Sequence, residues 1–268
     1  MLPISAFIIA KNEEHRIAKA IKSIRGLVDE IIVIDSGSTD NTVALSESLG
    51  ARVIFNPWPG YVKQKSFGED LCKHEWILNI DADEELSNEL REEIEYIFAS
   101  KNQDKYKAYR INFVIMHRTD TKPRFLAPSN SFIRIYRKDF ASFKNSIGFS
   151  TRDAVTLNDD MSEKDNVYQL SDPAYHYSGV SIEQLTTKAN FYSGEQARDM
   201  LINKRIPSKI RVYSEFFIYF FKAFFIRRYF IFGYNGFVDS MIFAFARFLR
   251  LAKTRELLDS TKSADQNK

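Results

Sequence analysis

Four carboxylates follow an apolar run in the sequence EWILNIDADEE, which spans residues 75–85. The run is typical of a buried strand, and Asp81, Asp83 and Glu84 stand directly after it. Carboxylates repel one another, and burying one is costly unless it is paired or bound to a cation. Asp81 and Asp83 are two residues apart and can point into one pocket, where their oxygens suit Mg²⁺ or Mn²⁺. Because such ions bind through one or two carboxylates and the phosphates of a substrate, the motif predicts a site for a metal and a phosphorylated ligand.

A calcium-binding EF-hand loop is the rival interpretation of this motif. Its first, third, fifth and twelfth positions would be Asp81, Asp83, Glu85 and Glu92. However, the sixth position needs a glycine for a sharp turn and is Leu86 here, and a strand precedes the loop where an EF-hand has a helix. We therefore reject a calcium loop. The G-x-G-x-x-G and G-x-x-x-x-G-K-[ST] motifs are also missing, which excludes a Rossmann dinucleotide site and a P-loop.

The elements that must position these carboxylates alternate between strand and helix over the first hundred residues. The predicted strands are residues 4–10, 30–35, 51–55 and 75–80, and the predicted helices are 13–24, 38–50 and 87–100. This alternation implies right-handed βαβ units and a parallel sheet, in which ligands bind outside the carboxyl ends of the strands. Those ends carry the polar clusters Lys11–Glu13, Asp35–Gly37 and Asp81–Asp83. Each cluster alone is more typical of a helix cap or a solvated loop, but three on one rim favour a binding site.

Composition restricts the class of protein further. The net charge of the 268 residues is only +3, which does not suggest a nucleic-acid-binding protein. The single cysteine, Cys72, excludes an internal disulfide and argues weakly for a reducing compartment. The N-terminus has no basic residue before its short apolar run, so we expect no signal peptide, and no apolar stretch reaches 18 residues.

The segment 204–255 differs from the rest of the chain in charge and aromatic content. It holds eleven Lys and Arg but two Asp and Glu, a net charge of +9, around the aromatic runs 216–226, 229–237 and 241–249. These runs are too short to cross about 30 Å of hydrocarbon as helices. Basic residues that flank aromatic, amphipathic helices suit an anionic membrane surface, although packing on the rest of the chain or in a dimer is the alternative. The polar tail after this segment is predicted to be disordered.

Three sequence blocks, in this order and spacing, resemble the family 2 glycosyltransferases: FIIAKNEEHRIAKAIKSI, DEIIVIDSGSTDNT and WILNIDADEEL. A tighter resemblance, to the bacterial lipopolysaccharide-core β-glucosyltransferases, comes from NPWPGYVKQKSFG, YHYSGVS and the aromatic C-terminus. Two positions depart from that pattern: Ser66 replaces the usual Asn, and STRDAV stands where a His-Glu pair is usual. The resemblance implies an α/β protein with the GT-A fold, a mostly parallel sheet flanked by helices, and a C-terminal aromatic and basic helical appendage.

The resemblance also implies roles for the residues around a nucleotide-sugar donor. Asp35 would hydrogen-bond the uracil edge, and Asn12 and Glu13 would line the nucleoside pocket. Asp81 would face the ribose, and Lys65 would lie near the nucleotide. A buried carboxylate is suited to select an N–H group on the edge of a base, which agrees with the role implied for Asp35.

The metal and the catalytic base are implied in the same way. Asp83 would ligate the Mg²⁺ or Mn²⁺ that bridges the diphosphate, and His176 would lie near the metal or the diphosphate; on its own, His176 reads as a structural histidine between tyrosines. Asp153 matches the usual glutamate of the acceptor side and would be the catalytic base. Arg152 would keep Asp153 ionised, and a surface ion pair between the two is the alternative.

The expected enzyme is a metal-dependent, inverting glycosyltransferase that moves a sugar, most readily glucose, from a UDP-sugar to a lipid-linked glycan of the lipopolysaccharide core. A polyprenyl-phosphate acceptor and a non-catalytic nucleotide-sugar-binding or scaffold protein are the alternatives. We expect three regions: a nucleotide-sugar-binding half at 1–105, an acceptor-side half at 106–180 and a membrane-associated helical region at 181–268. The expected location is cytoplasmic, peripheral on the inner face of the cytoplasmic membrane.

Overall fold

The computed structural model describes two compact units of this chain. The described residues are 1–100, 103–118, 120–143, 155–158, 162–177 and 181–266. The first unit contains the described residues within 1–115, 129–145 and 153–177. The second unit contains those within 116–128, 146–152 and 178–268.

A mixed eight-stranded sheet forms the centre of the first unit. The strands that the structure describes are β1 (Leu2–Ala10), β2 (Val28–Asp35), β3 (Arg52–Phe55), β4 (Trp76–Asn79), β5 (Glu84–Leu86), β6 (Ala108–Ile115), β7 (Ser129–Arg137), β8 (Ala141–Ser142), β9 (Thr156–Leu157) and β10 (Val167–His176). The order in the sheet is β3-β2-β1-β4-β7-β6-β10-β5, and β8 pairs separately with β9. Only β7 and β5 run antiparallel to their neighbours in this sheet. The carboxyl ends of β1, β2, β4 and β10 therefore meet at one edge.

Helices cover both faces of the sheet and bury an apolar core on each. The helices of this unit are α1 (Ile17–Ile24), α2 (Thr42–Ser48), α3 (Tyr61–Asp70) and α4 (Asn88–Ala99). On one face, α4 buries Leu90, Ile94 and Phe98, which recur every four residues and so share one side of the helix. On the other face, Gly68 lets α3 approach β1, because a Cβ there would lie only 2.7 Å from Cδ2 of Phe7.

The predicted alternation of strands and helices is confirmed, but the prediction that the first helix starts at residue 13 is wrong. Helix α1 begins at Ile17, and its N-cap residue, Arg16, makes no side-chain capping bond. Asn12 does not cap it, although its residue type is common at N-caps. Asn12 adopts a left-handed φ of 56°, and its Oδ1 accepts a hydrogen bond from the backbone N–H of Thr39 at 2.8 Å. The segment after Gly60, for which no strand or helix was predicted, forms α3.

The second unit is helical, as expected for the C-terminal region, but the polar tail that was expected to be disordered continues the last helix as far as Gln266. It contains α5 (Ile182–Ile202), α6 (Lys209–Phe221), α7 (Tyr234–Gln266), a π-helical turn at Lys222–Ile226 and a 3₁₀ turn at Tyr229–Phe232. Helix α7 is tied to α5 by Nζ of Lys253, which donates to the carbonyl oxygen of Asn190 at 2.7 Å. Among the helices that the structure describes, none combines the length and the apolar content that crossing a bilayer requires.

Candidate active site

The carboxylate of Asp81 lies between two cations that other elements supply. Nζ of Lys65, on α3, lies 2.8 Å from Oδ1, and Nη2 of Arg134, on β7, donates to Oδ2 at 3.0 Å. Burial alone would raise the pKa of Asp81, but the charges of Lys65 and Arg134 outweigh it and hold that pKa well below its usual range. The two cations are buried while the carboxylate is half-buried, so Asp81 is an ionised group with one side open.

A β-bulge places Arg134 in this position. Ile133 and Ile135 both have partners in the register with β6, whereas Arg134 between them has none, and such an extra residue re-aims its side chain. The guanidinium also donates to Oδ1 of Asn79 at 2.8 Å and to Oε1 of Glu84 at 2.5 Å. Arg134 therefore connects the end of β4 with the start of β5.

Glu84 is the second buried member of this network. Its Oε2 accepts a hydrogen bond from the backbone N–H of Asp81 at 2.9 Å, which fixes the turn that carries the two aspartates. Burial raises the pKa of Glu84, with a further contribution from the charge of Asp81, although Arg134 opposes both. Glu84 belongs to the acidic cluster after β4, but no role for it was predictable from its position in the sequence.

Asp83 faces a different pair of partners. Its Oδ2 lies 3.5 Å from Nε2 of His176, at the end of β10, and accepts from Nη1 of Arg16 at 3.4 Å. Burial favours the neutral forms, but the hydrogen bond and the charges between Asp83 and His176 outweigh it, so the pKa of Asp83 is lowered and that of His176 is raised. Both side chains are half-buried and present an oxygen and a nitrogen towards each other.

Arg16 links this pair to the loop after β1. Its Nε donates to Oε2 of Glu13 at 2.7 Å, and its Nη1 also donates to the carbonyl oxygen of Tyr177 at 3.0 Å. Glu13 is held in turn by its backbone N–H, which donates to Oγ1 of Thr42 at 2.7 Å. The side chain of Arg16 is buried, so its position is set by several contacts besides the one to Asp83.

The loops after β1 and β2 form the other side of the candidate site. Asp35, the last residue of β2, accepts hydrogen bonds at Oδ2 from the backbone N–H groups of Gly37 at 2.9 Å and Ser38 at 3.0 Å. Gly37 has a φ of 89°, which a glycine adopts without strain. Oγ of Ser38 accepts from the backbone N–H of Asn12 at 2.9 Å, so the two loops are connected directly.

The structure brings most of the predicted site residues to this edge of the sheet: Asn12, Glu13, Asp35, Lys65, Asp81, Asp83 and His176. Asp153, the predicted base, lies outside the described residues. Sequence reasoning missed Arg16 and Arg134. Arg134 left a signal, because it interrupts the apolar residues of FIRIY in a strand, while Arg16 left none beyond its spacing of three from Glu13.

Residues 5–164 match the family model for glycosyl transferase family 2. The chain belongs to this family. The family 2 enzyme is 63% identical to an uncharacterized glycosyltransferase of Rickettsia bellii. The match extends over 254 residues, which are 95% of this chain and 86% of the relative. Across 265 residues, 94% of this chain and 92% of the relative, it is 29% identical to LpsC of Rhizobium meliloti, a lipopolysaccharide core biosynthesis glycosyltransferase.

Two solved structures are similar to this glycosyltransferase at low identity. One is glucosyl-3-phosphoglycerate synthase from Mycobacterium tuberculosis in complex with phosphoglyceric acid, with a TM-score of 0.45, 19% identity and coverage of 78% of this chain and 82% of the other. The second is S. aureus TarS 1-349, with a TM-score of 0.43, 16% identity and coverage of 97% and 91%. The family assignment and the mixed sheet described above confirm the expected glycosyltransferase activity and GT-A fold.

Asp83 and His176 have the chemistry and spacing to hold a divalent cation in this glycosyltransferase. Two neighbouring ligands of an octahedral ion, each about 2.1 Å from it, stand about 3 Å apart, close to the 3.5 Å between Oδ2 and Nε2. No group of three or more His, Cys, Asp and Glu suited to a metal occurs in the described part of the chain. Two protein ligands fit Mg²⁺ or Mn²⁺, which usually bind through one or two carboxylates together with substrate phosphates.

Proposed function

We propose that this glycosyltransferase moves a sugar, with inversion, from a UDP-sugar to a lipid-linked glycan acceptor. The observation that supports the donor chemistry is the network at the carboxyl edge of the sheet. Asp81 and Asp83 each have buried cationic partners on one side and remain partly exposed on the other. A ligand that approaches the open side meets ionised carboxylates in fixed positions, which is the preorganisation that charge stabilisation requires.

Different residues of this chain would bind different parts of the donor. The carboxylate of Asp35 would accept the N–H of the uracil, between loops that Asn12 and Ser38 hold together. A divalent cation on Asp83 and His176 would supply charge stabilisation for the departing diphosphate. On the acceptor side, a carboxylate takes the proton of the attacking hydroxyl, and we assign that role to Asp153.

The acceptor we propose is the lipopolysaccharide core, and glucose is the sugar. The sequence resemblance to lipopolysaccharide-core β-glucosyltransferases supports both assignments. The similarity to LpsC, which extends over 94% of this chain, supports the acceptor alone. We further propose that residues 1–105 bind the donor, that 106–180 form the acceptor side and that the helices after residue 180 bring the enzyme to the inner face of the cytoplasmic membrane.

The distribution of charge in the second unit supports membrane binding. The segment 204–255 has two acidic residues, Glu215 and Asp239, and they are only 3% and 6% exposed. Oε1 of Glu215 accepts from Arg250 at 3.3 Å, and Oδ1 of Asp239 accepts from Arg118 at 3.1 Å. The outer surface of this segment therefore presents basic side chains without exposed acidic ones, which favours an anionic surface as partner.

An exposed apolar stripe on α6 supports the same conclusion. Ile210, Tyr213, Phe217 and Phe221 are spaced by three or four residues, so they lie on one side of the helix. They are 80%, 74%, 71% and 56% exposed, although a helix in a globular protein normally buries such a face. Aromatic residues beside Lys and Arg are typical of helices that lie in the membrane interface.

The donor assignment is tested by calorimetric titration of UDP with and without Mn²⁺, followed by turnover of UDP-glucose. We expect Asp83→Asn to lose the metal-dependent part of UDP binding and to retain the metal-independent part. Asp139→Asn is the matched control, because Asp139 is exposed and forms a surface ion pair with Arg137. A wild-type protein that binds no UDP would refute the proposal, and one that binds UDP–Mn²⁺ but turns over no UDP-sugar would be the non-catalytic alternative.

Membrane binding is tested by flotation with vesicles that contain or lack anionic lipid. We expect the wild type to float with anionic vesicles at low salt and to be released in part at high salt, because salt screens the electrostatic share. Phe217→Ser/Phe221→Ser should bind more weakly. Phe191→Ser, on α5, is the control for losing an exposed phenylalanine elsewhere in the second unit. Unchanged flotation of the double variant would contradict the assignment of the α6 stripe.

A further inference from the structure

Arg16 stands beside the proposed metal ligands as a positive charge that cannot move away easily. Its Nη1 reaches Oδ2 of Asp83 at 3.4 Å, the same oxygen that faces His176. The same Nη1 also donates to the carbonyl oxygen of Tyr177 at 3.0 Å, and Nε and Nη2 both contact Oε2 of Glu13. These other contacts do not depend on Asp83. We therefore expect the guanidinium to stay in place when Oδ2 of Asp83 binds another partner.

A cation on Asp83 would thus share its ligand oxygen with a fixed guanidinium. Like charges at such a distance repel, and burial of Arg16 reduces the screening by water. The repulsion applies to a divalent ion that arrives alone. A diphosphate reverses the balance, because its negative charge is attracted by both the ion and Arg16.

We propose that Arg16 disfavours binding of the metal before the nucleotide diphosphate. It weakens the site for a free divalent cation and strengthens it for a diphosphate, so the cation is held mainly where the diphosphate is also present. This inference rests on the proposed donor and metal site. It makes Arg16 a positioning residue that acts through charge, in addition to the contacts by which it holds the loop after β1.

This role of Arg16 has a signature that a purely structural role does not share. Replacing Arg16 by Gln removes the charge, and we expect Mn²⁺ alone to bind about tenfold more tightly and UDP without metal to bind about tenfold more weakly. Because coupling between two ligands is reciprocal, the factor by which Mn²⁺ improves UDP binding must change as much as the factor by which UDP improves Mn²⁺ binding. A variant that merely loosened the site would lose affinity for both ligands.

The experiment measures four affinities by calorimetry: that of Mn²⁺ with and without UDP, and that of UDP with and without Mn²⁺. Electron paramagnetic resonance measures free Mn²⁺ independently. Arg16→Lys keeps the charge and should retain the weak binding of Mn²⁺ alone, even if the contacts with Glu13 and Tyr177 are altered. Arg91→Gln is the control, because Arg91 donates to the carbonyl oxygen of Ser23 at 2.8 Å, near the far end of α1. It removes one guanidinium from the same unit without touching Asp83, and we expect wild-type binding.

The outcomes separate this inference from the proposed function. If Arg16→Gln binds Mn²⁺ alone as weakly as the wild type, or more weakly, while the wild type shows metal-dependent UDP binding, this role of Arg16 is overturned and the donor site stands. If the wild type binds no UDP with or without Mn²⁺, both are overturned. Opposite shifts for the two ligands in Arg16→Gln, together with near wild-type values in Arg16→Lys, would establish that the charge of Arg16 disfavours the metal alone and favours the diphosphate.

Discussion

Replacing Arg134 by methionine tests whether the buried network is held together by charge. Arg134 donates to Asn79, Asp81 and Glu84, and methionine fills a similar volume without any donor. Asp81 would keep Lys65, but Glu84 would lose its cationic partner while it stays buried. Removing one member of a buried ion pair typically costs about 3–5 kcal/mol in the free energy of unfolding, because the other charge is left uncompensated. We expect a loss of that order for Arg134→Met near pH 8.

The loss should depend on pH in a defined direction. The pKa of Glu84 is already raised by burial and by Asp81, and without Arg134 it must rise further. A carboxyl whose pKa is raised in the folded state binds a proton more readily there than in the unfolded chain, so stability falls as pH increases between the two values. Arg134→Met should therefore destabilise less at pH 5 than at pH 8. Arg134→Met/Glu84→Gln, which removes the uncompensated charge, should be more stable at pH 8 than Arg134→Met.

Urea unfolding followed by tryptophan fluorescence provides the measurement, because Trp58 and Trp76 are the only tryptophans and both belong to the first unit. Arg137→Met, on the same strand, is the control, since Arg137 pairs with the exposed Asp139 and should cost less than about 1 kcal/mol. Equal losses at pH 5 and pH 8 for Arg134→Met, or a double variant whose effects simply add, would refute the reasoning.

Three further predictions concern two helices and the contact between Asp35 and the uracil base. Gly68→Ala should lower the free energy of unfolding by about 1–3 kcal/mol in urea, because the new methyl would overlap the ring of Phe7; full stability would show that α3 shifts freely. Ser87→Ala should cost about 1 kcal/mol in the same assay, since Oγ accepts from the backbone N–H of Leu90 at 3.1 Å, and no change would argue against this cap. Asp35→Asn should weaken UDP binding but not pyrophosphate binding in calorimetry; equal losses would contradict contact with the base.

Much of the fold could be predicted because its signals are local. The spacing of Ile17, Ile21 and Ile24 predicts one buried helical face, and all three are buried. Boundaries were less predictable where a polar side chain bonds outside its own element. Asn12 is a good N-cap residue by type, but the backbone N–H of Thr39, 27 positions along the chain, binds its side chain instead. No local pattern contains that partner.

The acidic members of the site were predictable and the basic ones were not. Asp81 and Asp83 stand together after a strand, whereas their cationic partners come from distant segments: Arg134 is 53 positions from Asp81, and Arg16 is 67 positions from Asp83. Topology brings them together, since β7 pairs with β4 and the turn at the start of α1 lies at the same edge as the end of β10. The bulge at Arg134 depends on the register of two strands, which the sequence of one strand does not determine.

The charge balance of this edge bears on what can bind there. Each of the three carboxylates after β4 contacts at least one cationic side chain: Asp81 contacts Lys65 and Arg134, Asp83 contacts Arg16, and Glu84 contacts Arg134. The acidic cluster after β4 is therefore largely neutralised by the protein itself, before any ion binds. A divalent cation alone would add uncompensated positive charge, and a diphosphate alone would add negative charge. A metal–diphosphate complex changes this charge balance least. The cationic side chains that offset the cost of burying the acidic motif therefore also favour a diphosphate that binds together with its metal ion.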